Sequence, residues 1–197
     1  MASQSWANLL NAGPPWQTAQ GTQLATAATA VISPRATGPQ DFILPGQPNG
    51  LQWYQGMQLR VRARGNAASG GTTSSLTVAP AIGPSGGATG LTTPLCTTAA
   101  VVLGATTLTS LMWRLEADIT CTAVASSGAT LVSDGVMMIS DTAVPALVTA
   151  NTVTIPLPWA ATSFNVYTTG TAIALNATLS AAFGSIQCNR FTVEQLN

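Results

Sequence analysis

The sequence predicts an all-β protein: a jelly-roll-like antiparallel β-sandwich of about eight to ten strands, preceded by an N-terminal arm. Three observations predict it. Ala and Thr together supply roughly a third of the residues, and Thr and Val favour half-buried pleated positions. Short apolar or alternating runs are separated by Gly, Pro and Ser clusters along most of the chain. No amphipathic stretch of about ten residues or more has helical spacing. At 197 residues, one domain is the default.

Residues 1–21 read as the arm and residues 22–197 as the sandwich. The arm carries Trp6, Trp16 and the Pro14-Pro15 pair with little periodicity, and Ser5 to Leu10 could form a helical turn or two. Two tryptophans in a polar arm need a burial site. Either the arm folds back on its own domain or it docks on a neighbouring subunit, where Trp is a common anchor. Trp6, Trp16, Pro14 and Pro15 are therefore the candidate interface residues.

Strands are then expected at Leu24–Ile32, Asp41–Leu44, Met57–Arg64, Ser75–Ile82, Ala100–Leu103 and Thr107–Val124. Further strands are expected at Ala129–Ile139, Thr152–Pro156, Ala172–Phe183 and Ile186–Gln195. Pro45–Gly50, Gly65–Gly71 and Pro84–Gly90 read as turns and loops. Two strands alternate most clearly. Met57, Leu59, Val61 and Ala63 share one face, and Gln58, Arg60, Arg62 and Arg64 share the other. Likewise Leu111, Trp113, Leu115, Ala117, Ile119, Cys121 and Ala123 oppose Met112, Arg114, Glu116, Asp118, Thr120 and Thr122. Like charges two apart on a strand repel, and opposite-charge cross-strand pairs recover roughly 0.2–1 kcal/mol each. These two strands are therefore expected to be neighbours, with Arg60, Arg62 and Arg64 on one meeting Glu116 and Asp118 on the other.

Near the C-terminus, Leu175, Ala177, Leu179, Ala181 and Phe183 alternate cleanly, and a hairpin is expected near Gly184. The phase then slips between Ile186/Cys188 and Phe191/Val193, which predicts a bulge near Asn189–Arg190.

Charge narrows the function. Only 6% of the residues are charged, six basic and six acidic, with no histidine; an ordinary soluble domain has about a quarter. All six basic residues are arginines. Without histidine a nucleophile triad lacks its usual base, and without lysine a Walker-type phosphate loop lacks its cation. Glu116 and Asp118 share a face at a spacing compatible with paired-carboxylate chemistry, and Asp134 and Asp141 are further acids. Arg114 beside the first pair explains it better as an ion-paired face. No catalytic, cofactor-binding or metal-binding residues are assigned. Cys96, Cys121 and Cys188 are widely spaced and lack histidine companions, so they read as small buried apolar residues. The Asn176-Ala-Thr178 sequon is read as chance. Six arginines are few for nucleic-acid binding, which relies on many phosphate contacts. No signal peptide and no membrane span are read. Trp113 belongs to the core by parity, while Trp53 and Trp159 could cap the sandwich. Exposed aromatics also serve glycan binding, which keeps a binding-module alternative.

The segments WYQGMQLRVRARG (53–65), SLMWRLEADITCTAV (110–124) and GATLVSDGVMM (128–138) resemble tailed-bacteriophage virion structural proteins. In that group an RxRxxG strand and a later W-x-L-x-x-x-I-x-C strand belong to a jelly-roll-like sandwich. The resemblance covers roughly residues 51–140 and leaves the arm unmatched. It implies a non-enzymatic capsid decoration or minor capsid protein, made in the bacterial host cytoplasm and located on the virion. Its implied partners are itself, as a homo-oligomer with a trimer favoured, and the major capsid protein. Neither nucleic acid nor membrane is implied. A tail-fibre or tail-tip module that binds a receptor or glycan is the alternative.

Overall fold

The computed structural model describes residues 21, 23–33, 42–44, 53–70, 73–84, 93–103, 108–125, 128–140, 152–164, 171–182 and 184–196. Among these residues the structure is all β. Its strands are β1 (Ala28–Val31), β2 (Phe42–Leu44), β3 (Gln58–Ser69), β4 (Ser74–Pro84), β5 (Thr93–Pro94) and β6 (Val101–Leu103). They continue with β7 (Leu108–Ala125), β8 (Gly128–Ser140), β9 (Thr152–Phe164), β10 (Thr171–Leu179) and β11 (Gly184–Gln195). Every pairing between them is antiparallel.

Two sheets result. A five-stranded sheet has the order β11-β3-β7-β8-β9, and a second has the order β1-β10-β4-β5, with β2 pairing β10 and β6 pairing β4. One continuous apolar cluster joins them. It takes Leu59, Val61, Trp113, Leu115, Ile119 and Met137 from the first sheet, and Leu76, Val78, Ile82, Ile173 and Leu175 from the second. The alternation in β3 and β7 produces this directly, since each odd-numbered side chain from Leu59 to Ala67 and from Leu111 to Cys121 is buried. Trp113 is held further by its indole N–H, which donates to the Asn66 carbonyl at 3.2 Å.

Several local expectations change. Gly65–Gly71, expected as a turn, lies largely inside β3, which continues to Ser69. Gly65 is there for close approach: an added Cβ would run into the Gln187 carbonyl oxygen and come within 2.9 Å of the Trp113 ring. The strand expected at Thr152–Pro156 continues to Phe164 through Pro156 and Pro158. Among the described residues β9 pairs only with β8, and an edge position of this kind is where a strand tolerates proline. The segment 24–32 does not act as one strand. Leu24 bridges Ile186 of β11, whereas Ala28–Val31 pairs with β10 in the opposite sheet.

No hairpin forms at Gly184. β10 pairs with β1, β2 and β4, while β11 pairs with β3, so the chain crosses between sheets there. Residues 180–182 make that corner. The Ser180 N–H donates to the Ser75 carbonyl at 3.0 Å, the Ser75 N–H donates to Ser180 Oγ at 2.8 Å, and Ser74 Oγ donates to the Ala181 carbonyl at 3.2 Å. The register of β11 on β3 shifts between Cys188 and Arg190, the position at which the sequence phase slips.

Trp6, Trp16, Pro14 and Pro15 lie outside the described residues, as do the loops expected at Pro45–Gly50 and 85–90.

Candidate functional site: the charged face of the five-stranded sheet

Every charged side chain among the described residues lies on the outer face of the five-stranded sheet. The strand registers arrange them in three rows across the strands. The first row runs Glu194, Arg60, Asp118, Asp134 over β11, β3, β7 and β8. The second runs Thr192, Arg62, Glu116, Val136. The third runs Arg190, Arg64, Arg114, Met138. Rows on one face are two residues apart along each strand, so the first and third are separated by about 13 Å.

Both arginines of the first two rows are paired with carboxylates. Arg60 makes a two-pronged contact with Asp118, Nε to Oδ1 at 2.7 Å and Nη2 to Oδ2 at 2.8 Å. This fork-to-carboxylate geometry is the strongest common form of ion pair. Arg62 donates from Nε to Glu116 Oε2 at 2.9 Å and from Nη1 to Glu194 Oε2 at 3.1 Å. Glu116 also lies 3.4 Å from Arg60 Nε, so the five groups form one network. The hydrogen bond to Asp118 is the largest influence on Arg60 and raises its already high pKa; Glu116 has the same role for Arg62. Arg60 is 28% exposed and its acidic partners nearly half exposed, so solvent screens each pair. Each of these carboxylates is thus engaged by a guanidinium across the sheet.

Arg64 departs from the expected pairing. Its neighbour on β7 is Arg114 and its neighbour on β11 is Arg190, so it stands between two like charges. The cause is register: antiparallel pairing aligns Arg60 with Asp118 and Arg62 with Glu116, and the next outward position on β7 is Arg114. Arg114 directs Nε and Nη2 to the Met138 sulfur at 3.1 and 2.9 Å, a weak acceptor. Among the described residues, Arg64, Arg114 and Arg190 have no carboxylate within ion-pair distance.

Glu194, Arg190 and Asp134 also belong to this face; the sequence marks Arg190 only as a bulge position and Asp134 only as a further acid. The signal for the first two was the phase slip: once a bulge is placed at Asn189, Arg190, Thr192 and Glu194 turn outward together.

The second sheet differs in kind. Its outer face carries a threonine row, Thr29, Thr178 and Thr77 across β1, β10 and β4, with Thr29 and Thr178 hydroxyls 2.7 Å apart. Beside it run Val31, Asn176 and Ala79, then Ala174 and Ala81.

The tryptophans separate. Trp53 and Trp113 are buried, but Trp159 is 67% exposed and does not cap the core. It sits in the irregular stretch of β9 opposite Asp134, where the pairing passes from Ser133–Ala160 to Gly135–Leu157. Cys96, Cys121 and Cys188 are free buried thiols. Burial pushes Cys96 up to about 11 and Cys188 up to about 12, against an ordinary value near 9.0. Among the described residues no group of three His, Cys, Asp or Glu could hold a metal ion, and no helix is long and apolar enough to cross a membrane.

Fold and face together define the class: an antiparallel β-sandwich whose described charges all lie on the outer face of one sheet. Comparison with protein families, characterised proteins and solved structures finds no match to this chain.

Proposed function

We propose that this chain is a non-enzymatic structural protein of a tailed-bacteriophage virion, a capsid decoration or minor capsid protein. In this reading it binds the head lattice as a homo-oligomer, preferentially a trimer, in contact with the major capsid protein. The observation that carries it is the segregation of charge. The described charges are confined to one sheet face; on the outer face of the other sheet Thr29 and Val102 are exposed, Thr77, Thr178 and Asn176 are half-buried, and Ala79, Ala81 and Ala174 are buried. Such a surface lacks long hydrated side chains, so it can pack closely against a neighbour with little charge desolvation. A chain of zero formal net charge also gains little colloidal protection as a free monomer, and a closed oligomer reduces its exposed surface. The sequence resemblance over residues 51–140 supplies the phage context.

Two measurements test this. Light scattering on the purified chain should give a closed oligomer. Quantitative mass spectrometry of purified virions should give a copy number that scales with the capsomers. A few copies per particle would transfer the protein to the tail, and absence from particles would end the reading.

One observation favours the second reading, a tail-fibre or tail-tip receptor module. Trp159 presents an open aromatic surface opposite Asp134, the aromatic-plus-acid combination that stacks on and hydrogen-bonds a sugar ring. Quenching of tryptophan fluorescence by host glycans, lost in Trp159→Ala, would support it over decoration.

A further inference from the structure

The third row of the charged face is built against its own stability. Like charges directly opposite each other weaken an antiparallel pair. Here Arg64 of β3 faces an arginine on both sides. The adjacent rows show that this sheet can supply carboxylates in register, because Arg60 and Arg62 both receive them. Three arginines left without such partners span three adjacent strands, about 10 Å of sheet.

The surroundings indicate what they would hold. Two shallow depressions of about 590 and 560 Å³ both border Arg64, Arg114 and Met138. One extends toward Arg190, Glu116 and Glu194; the other reaches Met112, which is 68% exposed. A cationic row is therefore bounded by acids on one side and by an open apolar side chain on the other. A long phosphodiester chain fits this poorly: it needs many cationic contacts along its length and would meet the two glutamates. A protein segment with one to three carboxylates next to an apolar residue fits each part. The guanidinium forks match carboxylates, and Met112 offers an adaptable apolar contact.

We propose that Arg64, Arg114 and Arg190, with Met112 beside them, form a docking site for a carboxylate-bearing segment of a protein neighbour. The site does not depend on the phage assignment. A chain absent from virions would overturn that assignment and leave the docking site to be judged on binding alone.

The test uses the full chain and the arginine side-chain Nε–Hε resonances, assigned through single Arg→Gln variants. Titration with citrate, a minimal tricarboxylate, should shift the Arg64, Arg114 and Arg190 signals saturably. Arg60 and Arg62, already paired, serve as controls within the same spectrum and should move little. A labelled peptide alternating Glu and Leu should then bind saturably, and the R64Q/R190Q variant should weaken it at least tenfold. The same peptide with Gln for Glu should bind no better than that variant. Equal shifts at all five arginines, or peptide affinity unchanged in R64Q/R190Q, would overturn the site. An oligonucleotide of matched charge binding more tightly than the Glu peptide would overturn the choice of partner.

Discussion

At the residue scale, the nine described charges fall into a satisfied set and an unsatisfied one, and the two should respond oppositely to neutralisation. Arg60→Gln removes a two-pronged contact to Asp118 and leaves that carboxylate beside Asp134. Partial exposure limits its cost to about 1 kcal/mol or less. Arg64→Gln removes two like-charge neighbours and should raise stability by a few tenths of a kcal/mol. Urea midpoints at low and high salt check both: the gain from Arg64→Gln should shrink as salt rises, since screening already relieves the repulsion. A loss of stability in Arg64→Gln would refute the reading of this row as strained. The buried thiols give a second expectation. The folded chain keeps Cys96 and Cys188 protonated up to about 11 and about 12, whereas an unfolded thiol ionises near 9.0. Their contribution is therefore complete below about pH 8.5 and is lost as pH rises through the folded values. Each thiol should cost about 1.4 kcal/mol per pH unit over that window. Urea denaturation from pH 7.5 to 11 should show this decline, with a shallower slope in Cys188→Ala.

At the scale of elements, parity decides what can be read in advance. The outward set Arg60, Arg62, Arg64 and the set Glu116, Asp118 are visible in sequence because a strand alternates without exception while it stays regular. Their pairing can be argued because uncompensated like charges on both strands would be costly. Arg64 shows where that argument stops: charge balance favours an acid opposite it, whereas hydrogen-bond register puts Arg114 there. Gly65 departs from the expected turn for a related reason. A glycine before Asn66 has the local chemistry of a turn, and only the β3–β11 and β3–β7 pairings reveal that backbone and indole approach too closely for a Cβ. The path of β10 and β11 into different sheets is equally non-local, because Ser74, Ser75 and Ser180 make the corner from distant parts of the chain. Strand order, and with it any jelly-roll wiring, is set by such long-range pairings, which periodicity does not encode. Gly65→Ala tests the close approach. It should cost roughly 1–3 kcal/mol as overpacking, while Asn66→Ala on the outward face should stay within about 0.5 kcal/mol. Equal urea midpoints for the two variants would show that β3 can shift to accept the methyl group.

At the scale of the whole molecule, the two outer faces divide the surface into parts with different expected tasks. Residues 1–20 precede a chain anchored at Gly21, whose N–H donates to the Cys188 carbonyl at 2.7 Å and whose carbonyl accepts from Gln187 Nε2 at 3.0 Å. Deleting residues 1–20 leaves both contacts in place, so the sandwich should still fold. If the arm holds a neighbour through Trp6 and Trp16, the shortened chain should fail to enter virions; normal incorporation would remove the arm from the proposed function. The uncharged face gives the sharper case, because it can be altered without touching the core. Thr29 is exposed on β1, and a lysine there would project from the threonine row it forms with Thr178 and Thr77. In the monomer this costs only the Thr29–Thr178 hydroxyl contact, so denaturation should move by about 0.5 kcal/mol or less. In an assembly packed on this face the ammonium would be buried without a partner, a penalty of several kcal/mol at each contact. Thr29→Lys should therefore abolish oligomerisation in light scattering while circular dichroism stays native. An oligomer that persists in Thr29→Lys would place the subunit contact elsewhere and strip this face of its role in assembly.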